Sequence, residues 1–246
     1  TCLLWRARTV DYAERVRTAP PGWRRYTVAD IGRLPAAVRC HELAGAPPGE
    51  LDRARAGDPS AADRVVKAMF WPLVYHLEPE LWDALAAAEP IHPDILDHLD
   101  VPRARVLEVG AGSGRLTRVL ARRAGGLVAV EPAGGLCRLL RRRLPEVTVV
   151  AAWADALPLP TGAFQLAASC ASLGPDPAAL TELARVTSPG GRVLLISPEH
   201  PEWFQARGWN RISHPRQPPP PHAHWIDGVF GPPRPPHEVV WTRVPW

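Results

Sequence analysis

Apolar positions follow two patterns along the 246 residues. From about residue 104 onward they come in short continuous runs. These are Val106-Leu107 with Val109, Leu127 to Val130, Val147 to Ala152, Phe164 to Ser169 and Val193 to Leu195. Runs of this length suit strands of a parallel sheet covered on both faces. Between the runs the period lengthens. Leu116, Val119 and Leu120 recur at helical spacing, and a helical stretch ending at Val186 precedes the turn Pro189-Gly190-Gly191. Alternating strands and helices imply an α/β fold with a mostly parallel sheet.

Residues 1–100 lack such runs and read as helical. Leu3 to Arg17 mixes apolar and charged positions, and Thr27-Val28-Ala29-Asp30 opens a second helix. Ala44 to Pro59, rich in Gly and Pro, reads as a loop. Ser60-Ala61-Ala62-Asp63 resembles a capped start for a helix from Arg64 toward Leu77, which Pro72 kinks or breaks. Glu78 to Glu89 and Pro93 to Leu99 continue the helical pattern. The expected division is a helical N-terminal extension over 1–60 and a main domain over 61–246. Past Leu195, Gln217-Pro218-Pro219-Pro220-Pro221 cannot sustain a helix. Trp225 to Phe230 and Glu238 to Val244 read as strands. Most of 198–237 reads as a long loop, Pro-rich at 198–221.

Glycines and acids add chemistry to this frame. Val109 leads into Gly110-Ala111-Gly112-Ser113-Gly114, where the missing Cβ atoms permit a tight turn and a close ligand. The dinucleotide fingerprint G-x-G-x-x-G fails, because Arg115 or Thr117 stands where its third glycine belongs. The sequence reads E-x-G-x-G-x-G from Glu108. Glu131 ends the next apolar run, 21 residues after Gly110, close to the roughly 20 expected for a carboxylate that holds a ribose.

Together these segments resemble the class I S-adenosylmethionine-dependent methyltransferases, of the small-molecule, methyltransferase-11-like type. Glu108 to Gly114 is similar to motif I. Asp155-Ala156-Leu157-Pro158-Leu159-Pro160 is similar to the D-A-x-x-L-P segment. Phe164 to Ser169 resembles the fourth strand, with Gln165 where the family usually has Asp. Leu183 to Leu195 closes the match, which covers about residues 70 to 197. The resemblance implies a Rossmann-like, doubly wound, seven-stranded sheet and S-adenosyl-L-methionine as cofactor. It implies cofactor contacts from Tyr75, Glu108, Gly110, Ala111, Gly112, Gly114, Glu131, Pro132, Asp155, Ala156 and Ser169. Within that set, Glu108 suits the cationic end, Glu131 the ribose and Asp155 the adenine amino group. Tyr75 would lie over the cofactor from a preceding helix, or belong to an aromatic core with Phe70 and Trp71.

Composition narrows the partners. Apolar residues make up 46% of the chain, ample for a core, and no apolar run reaches membrane-spanning length. Arg6, Arg8, Asp11, Glu14 and Arg15 interrupt any signal-peptide core, so a cytoplasmic protein is expected. Net charge is +4, split between 12 basic and 15 acidic residues in 1–100 and 17 and 10 beyond. Arg138, Arg141, Arg142 and Arg143 read as a solvated helix end. No aromatic interleaving marks a nucleic-acid face. Cys2, Cys40, Cys137 and Cys170 are scattered and are expected to be reduced thiols. His222 and His224, with His200, His214 and His237 nearby in sequence, read as solvated histidines, and no metal is expected.

Methyl transfer needs an acceptor aligned with the methyl carbon and, for a protonated oxygen or nitrogen, a base. Ser172 and His200 follow strands whose carboxyl ends face the ligand in such sheets, and His200 is the candidate base. Ser169-Cys170-Ala171-Ser172 stands where amino-methylating nucleic-acid enzymes carry N-P-P-[YF] or D-P-P-[YF]. The expected activity is therefore in-line methyl transfer to a small-molecule O or N acceptor. That acceptor would be enclosed by aromatics of the N-terminal segment and of 198–221. The alternatives are an RNA or protein methyltransferase, or a non-catalytic cofactor-binding accessory protein; a nicotinamide oxidoreductase ranks last. Oligomeric state has no signature in the sequence.

Overall fold

The structure is a computed structural model that describes residues 11–16, 23–99, 103–230 and 235–244. Contacts divide them into two compact units. One takes the described residues up to Ala88 and those from Pro219 to 230; the other takes Glu89–Pro218 and 235–244. Among the described residues no helix is long and apolar enough to cross a membrane.

In the first unit the chain forms α1 (Tyr12–Arg15), α2 (Val28–Ile31), α3 (Ala36–Glu42), α4 (Glu50–Arg55), α5 (Pro59–Ala68), α6 (Phe70–Leu77) and α7 (Pro79–Ala87). Three boundaries differ from the sequence reading. Helix α4 lies inside the stretch expected to be a loop. Helix α5 is capped by Asp58, not Ser60: the Asp58 carboxylate accepts the Ser60 and Ala61 amides at 2.9 and 3.1 Å, and Pro59 occupies the first turn. That helix crosses the 60/61 boundary. It ends at Met69, and Pro72 then sits within the first turn of α6, where its missing N–H costs nothing. Glu50, 2% exposed, links α4 to α5 by accepting from Arg53 and from Arg64 Nε, the latter at 2.6 Å.

The second unit contains α8 (Pro93–Asp97), β1 (Arg105–Val109), α9 (Thr117–Leu120), β2 (Gly126–Val130), α10 (Gly134–Arg143), β3 (Thr148–Val150), β4 (Phe164–Cys170), α11 (Pro177–Val186), β5 (Thr187–Ile196), α12 (Pro201–Gln205) and β6 (Asn210–His214). Helix α13 (Ile226–Phe230) returns to the first unit, and β7 (His237–Arg243) completes the second. The seven strands form one sheet in the order β3-β2-β1-β4-β5-β7-β6. Strands β1 to β5 are parallel to their neighbours among themselves; β7 runs antiparallel to β5 and to β6. The sheet is therefore doubly wound and mostly parallel, as expected.

Its core lies on both faces, which is why the strand runs are continuous and not alternating. Leu107, Val109, Ala167, Val193 and Leu195 pack on one side with Leu183, Val186 and Phe204. Val106, Leu166, Ala168, Leu194 and Ile196 pack on the other with Ile95, Leu99, Leu116 and Leu120. Gln165 takes a structural post: its Oε1 accepts the Arg105 amide at 2.8 Å, at the start of β1. The region after β5 departs from the long loop expected over 198–237. It supplies helix α12 and strand β6, which pairs with β7 from Asn210↔Trp241 to His214↔His237. Trp225 to Phe230 is not a strand, since Ile226 and Val229, both fully buried, place their side chains at helical i, i+3 spacing.

Candidate functional site

The residues singled out on β1, β2 and β4 meet at the carboxyl ends of those strands. Gly110 and Ala111 turn out of β1 and both donate to Val130 O, at 2.9 and 3.0 Å, which binds the loop to the tip of β2. Gly110, Gly112 and Gly114 all have positive φ. Gly112 points its amide at Glu131: Oε2 accepts from Gly112 N at 2.9 Å, and Oε1 accepts from Ala133 N at 2.8 Å. Each oxygen keeps a second lone pair for a ligand hydroxyl. Burial raises the Glu131 carboxyl to about 7, against the pull of the two amides. Pro132 beside it is half-buried.

Glu108 is 1% exposed, on the sheet face it shares with Val106. Its Oε2 is buried with no hydrogen-bond partner, and so is the Ser113 hydroxyl in the loop. Burial pushes the Glu108 carboxyl up to about 8, against the pull of the Thr117 hydroxyl and with the nearby Glu131 charge adding to it. Buried polar atoms are nearly always satisfied. Glu108, Ser113 and Thr117 each keep such an atom open beside the glycine turn, which fits a ligand that brings its own donors, and an ammonium or sulfonium suits an acid in that position. On an observation of the fold itself, then, the residues fit S-adenosylmethionine.

The tip of β4 contributes a serine pair. Ser169 Oγ and Ser172 Oγ are 2.6 Å apart, and Ser172 Oγ donates to Val109 O at 3.2 Å. Ala171 and Ser197, just past β4 and β5, hold φ of 55° and 47°. Such left-handed conformations are costly for residues with a Cβ and gather where a site demands them.

Asp155 and Ala156 are exposed in the turn after β3. What fixes that turn's continuation was not legible beforehand. Glu182 Oε2 accepts the Leu157 amide at 2.8 Å, and Arg185 donates to Leu157 O and Leu159 O at 2.9 and 2.8 Å. The two side chains also bond each other, so α11 clamps the D-A-x-x-L-P segment from both its donor and acceptor sides. Arg115, which breaks the dinucleotide spacing, sends its guanidinium to Glu89 O at 2.8 Å and to Cys170 Sγ at 3.2 Å. Cys137 is buried and Cys40 exposed; with Cys170 they are free thiols, and Cys2 lies outside the described residues.

Two further expected site residues lie on other elements. Tyr75 belongs to the first unit, where it is half-buried against Trp71 and Trp82 at centroid distances of 6.1 and 4.9 Å. His200 is the left-handed N-cap of α12 and is 69% exposed at its side chain. Its Nδ1 lies 3.2 Å from Glu202 Oε1.

Comparison with known proteins agrees with this geometry. A family model described as a methyltransferase domain matches residues 106–191. An uncharacterised methyltransferase of Mycobacterium tuberculosis is 38% identical over 108 residues, 42% of this chain and 44% of that protein. A demethylmenaquinone methyltransferase of Renibacterium salmoninarum is 32% identical over 104 residues, 41% and 44% of the two chains. A ubiquinone biosynthesis O-methyltransferase of Xanthomonas oryzae is 34% identical over 130 residues, 46% and 54%. The chain thus spans about half the length of the curated relatives it matches. The matched stretch begins in β1 and ends in β5, and it holds the glycine loop, Glu108 and Glu131; over residues 106–191 the chain is similar to a methyltransferase domain.

Proposed function

We propose that the chain transfers a methyl group from S-adenosylmethionine to an oxygen or nitrogen of a small molecule, and that it works in the cytoplasm. The carrying observation is the pair of buried acids at one glycine turn, Glu108 with an unpartnered oxygen and Glu131 presented by two backbone amides. When bound, the cofactor supplies an activated methyl carbon for in-line displacement. The chain's own residues bind and orient. Glu131 accepts the ribose hydroxyls, Glu108 faces the cationic end, and Gly112, without a side chain, leaves room beside them. Asp155, beside the segment held by Glu182 and Arg185, reads the adenine amino group. The names of two relatives place them on demethylmenaquinone and in ubiquinone biosynthesis. They support a planar aromatic acceptor of quinol or phenol type over RNA or protein.

His200 is the proposed base. Its Nδ1 is engaged with Glu202, which leaves Nε2 as the ring nitrogen free to meet an acceptor's proton. Glu202 is held in its charged form by its own backbone amide and by His200. His200→Ala should lower turnover on a phenolic acceptor while cofactor affinity stays as in the parent. Unchanged turnover would remove the base role and leave the rest of the assignment standing.

Calorimetry tests the cofactor reading. Glu131→Ala should weaken S-adenosylmethionine binding by about 1–3 kcal/mol, or roughly 5- to 150-fold, the scale of losing charge-assisted bonds and leaving hydroxyls unpaired. Equal affinity in the two proteins would sink the ribose assignment. Cofactor binding without transfer to any quinol, phenol or amine would point to the non-catalytic alternative.

A further inference from the structure

Four polar groups far apart in sequence converge at the other end of the sheet. His92 caps the N-terminus of α8, Asp94 lies in its first turn, His98 caps its C-terminus, and His214 ends the edge strand β6. All four belong to the second unit. Strand β6 is four places from β1 in the sheet order, about 19 Å at the usual strand spacing. On the α8 side the cluster connects to the residue after the glycine loop through Glu89, three residues before His92: the Glu89 carbonyl accepts from Arg115 at 2.8 Å.

His92, Asp94 and His214 each offer one ligand atom, and these atoms lie within 4.8 Å of one another. His92 Nδ1 and Asp94 Oδ2 are 3.7 Å apart. Two ligands on one tetrahedral ion with bonds of about 2.1 Å stand about 3.4 Å apart, so a small side-chain adjustment closes the set. The His92 and His214 rings stack at 5.7 Å and 28°. His214 is 8% exposed, and its Nε2 lies 3.3 Å from His98 Nε2, a contact that holds the ring in place. Asp94, by contrast, is 67% exposed at its side chain, so an ion has a way in. At present His92 Nδ1 accepts the Asp94 amide at 3.2 Å, at the long end of the hydrogen-bond range.

We infer that His92, Asp94 and His214 form a site for a divalent first-row transition ion of the Zn2+ type. Two imidazoles and one carboxylate select such an ion over Mg2+ or Ca2+, which prefer oxygen ligands. Three protein ligands leave a position for water. The ion would cross-link α8 to the edge strand β6, joining segments more than 100 residues apart, and so fasten the β6–β7 strand pair to α8. His98 is a positioning residue, because a ligating histidine is commonly oriented through its other ring nitrogen.

The test uses the full chain with any affinity tag removed. Co2+ is titrated by its visible absorption, and Zn2+ is then used to displace it. One ion per chain is expected, with Mg2+ unable to compete. Asp94→Asn and His92→Gln should each weaken binding at least about tenfold. His222→Gln with His224→Gln, on the other unit, should leave it unchanged. At a Zn2+ excess of about 100 times Kd, the unfolding midpoint should rise by roughly 5–10 °C, and Asp94→Asn should lack that rise. Asp94 is exposed, so its metal-free melting should match the parent and show that the variant folds. The inference is overturned if the parent binds no Co2+, if Asp94→Asn and His92→Gln bind as the parent does, or if the His222/His224 pair removes the binding. None of these readouts depends on methyl transfer.

Discussion

Between pH 6 and 8, affinity for S-adenosylmethionine should rise, by up to about tenfold per pH unit near pH 6 and less as pH nears 8, as Glu108 gives up its proton on binding. The unliganded Glu108 carboxyl is pushed up to about 8 by burial, so at pH 6 to 7 it is mostly neutral. A cationic ligand favours its ionised form. Below about 8 binding must therefore release that proton, and affinity climbs with pH until the apo protein has already lost it. Glu131, raised to about 7, adds to the slope below that value, and the two acids titrate as a pair. The ligand's own α-amino group titrates near 7.7–8.0, which bends the curve for any protein. Glu108→Gln separates the two effects: its curve keeps the ligand's bend and loses the proton release. Calorimetry in buffers of different ionisation enthalpy counts the protons directly. Equal pH profiles in parent and Glu108→Gln would show that Glu108 does not face the cation. A second readout needs no ligand. Because its folded value lies above its unfolded one, Glu108 contributes stability that is fully present below about 4.5 and is lost as pH rises toward about 8. Glu182 works in the opposite sense. Its Arg185 partner and the Leu157 amide hold it near 2, so its contribution is present above about 4.5 and is lost as pH falls toward 2.

What was legible in the sequence had a local physical cause. Buried parallel strands must be apolar on both faces, so the runs containing Leu107, Ala129 and Leu194 declared themselves. A turn that needs positive φ takes glycine, so the loop at Gly110 to Gly114 was plain; Glu131 followed from its place after the next apolar run, and Glu108 from its place two residues before the first glycine. The misses have equally local causes. Strand β6 is Asn-Arg-Ile-Ser-His with only His214 buried; an edge strand facing solvent carries no apolar run to read. Helix α4 is bounded by Gly49, itself at φ 69°, and by Gly57. The breakers at its ends masked the good helix formers Glu50, Leu51 and Arg53 between them. Trp225 to Phe230 is too short for its period to decide between strand and helix, and the burial of Ile226 and Val229 decides it. The clamp from Glu182 and Arg185 onto residues 157–159, and the meeting of His92, Asp94 and His214, are products of topology. No spacing along the chain encodes them.

Replacing Gly110 by alanine should destabilise the second unit by about 2–5 kcal/mol, although one methyl group is all that is added. Gly110 has φ +72°, and a left-handed conformation costs an L-residue roughly 1–2 kcal/mol. The larger part is steric. A Cβ there would stand 2.1 Å from Ser172 Oγ and 2.4 Å from Ser172 Cβ, far inside contact distance. Ser172 cannot yield freely, because its hydroxyl is tied to Ser169 Oγ and to Val109 O. Turning it away breaks both bonds and strands the buried Ser169 hydroxyl, at about 1–3 kcal/mol. For a unit of this size the total corresponds to a fall of roughly 6–20 °C in the unfolding midpoint. The β1–β4 contact that Gly110 permits is thus a structural role of a residue read from sequence as a ligand contact. A double variant separates the two causes. Ser172→Gly with Gly110→Ala should recover the steric part and keep the backbone part, so it should be more stable than Gly110→Ala alone. A Gly110→Ala protein within about 1 kcal/mol of the parent would show that the loop yields without cost. A double variant no better than the single one would show that Ser172 is not what the methyl group strikes.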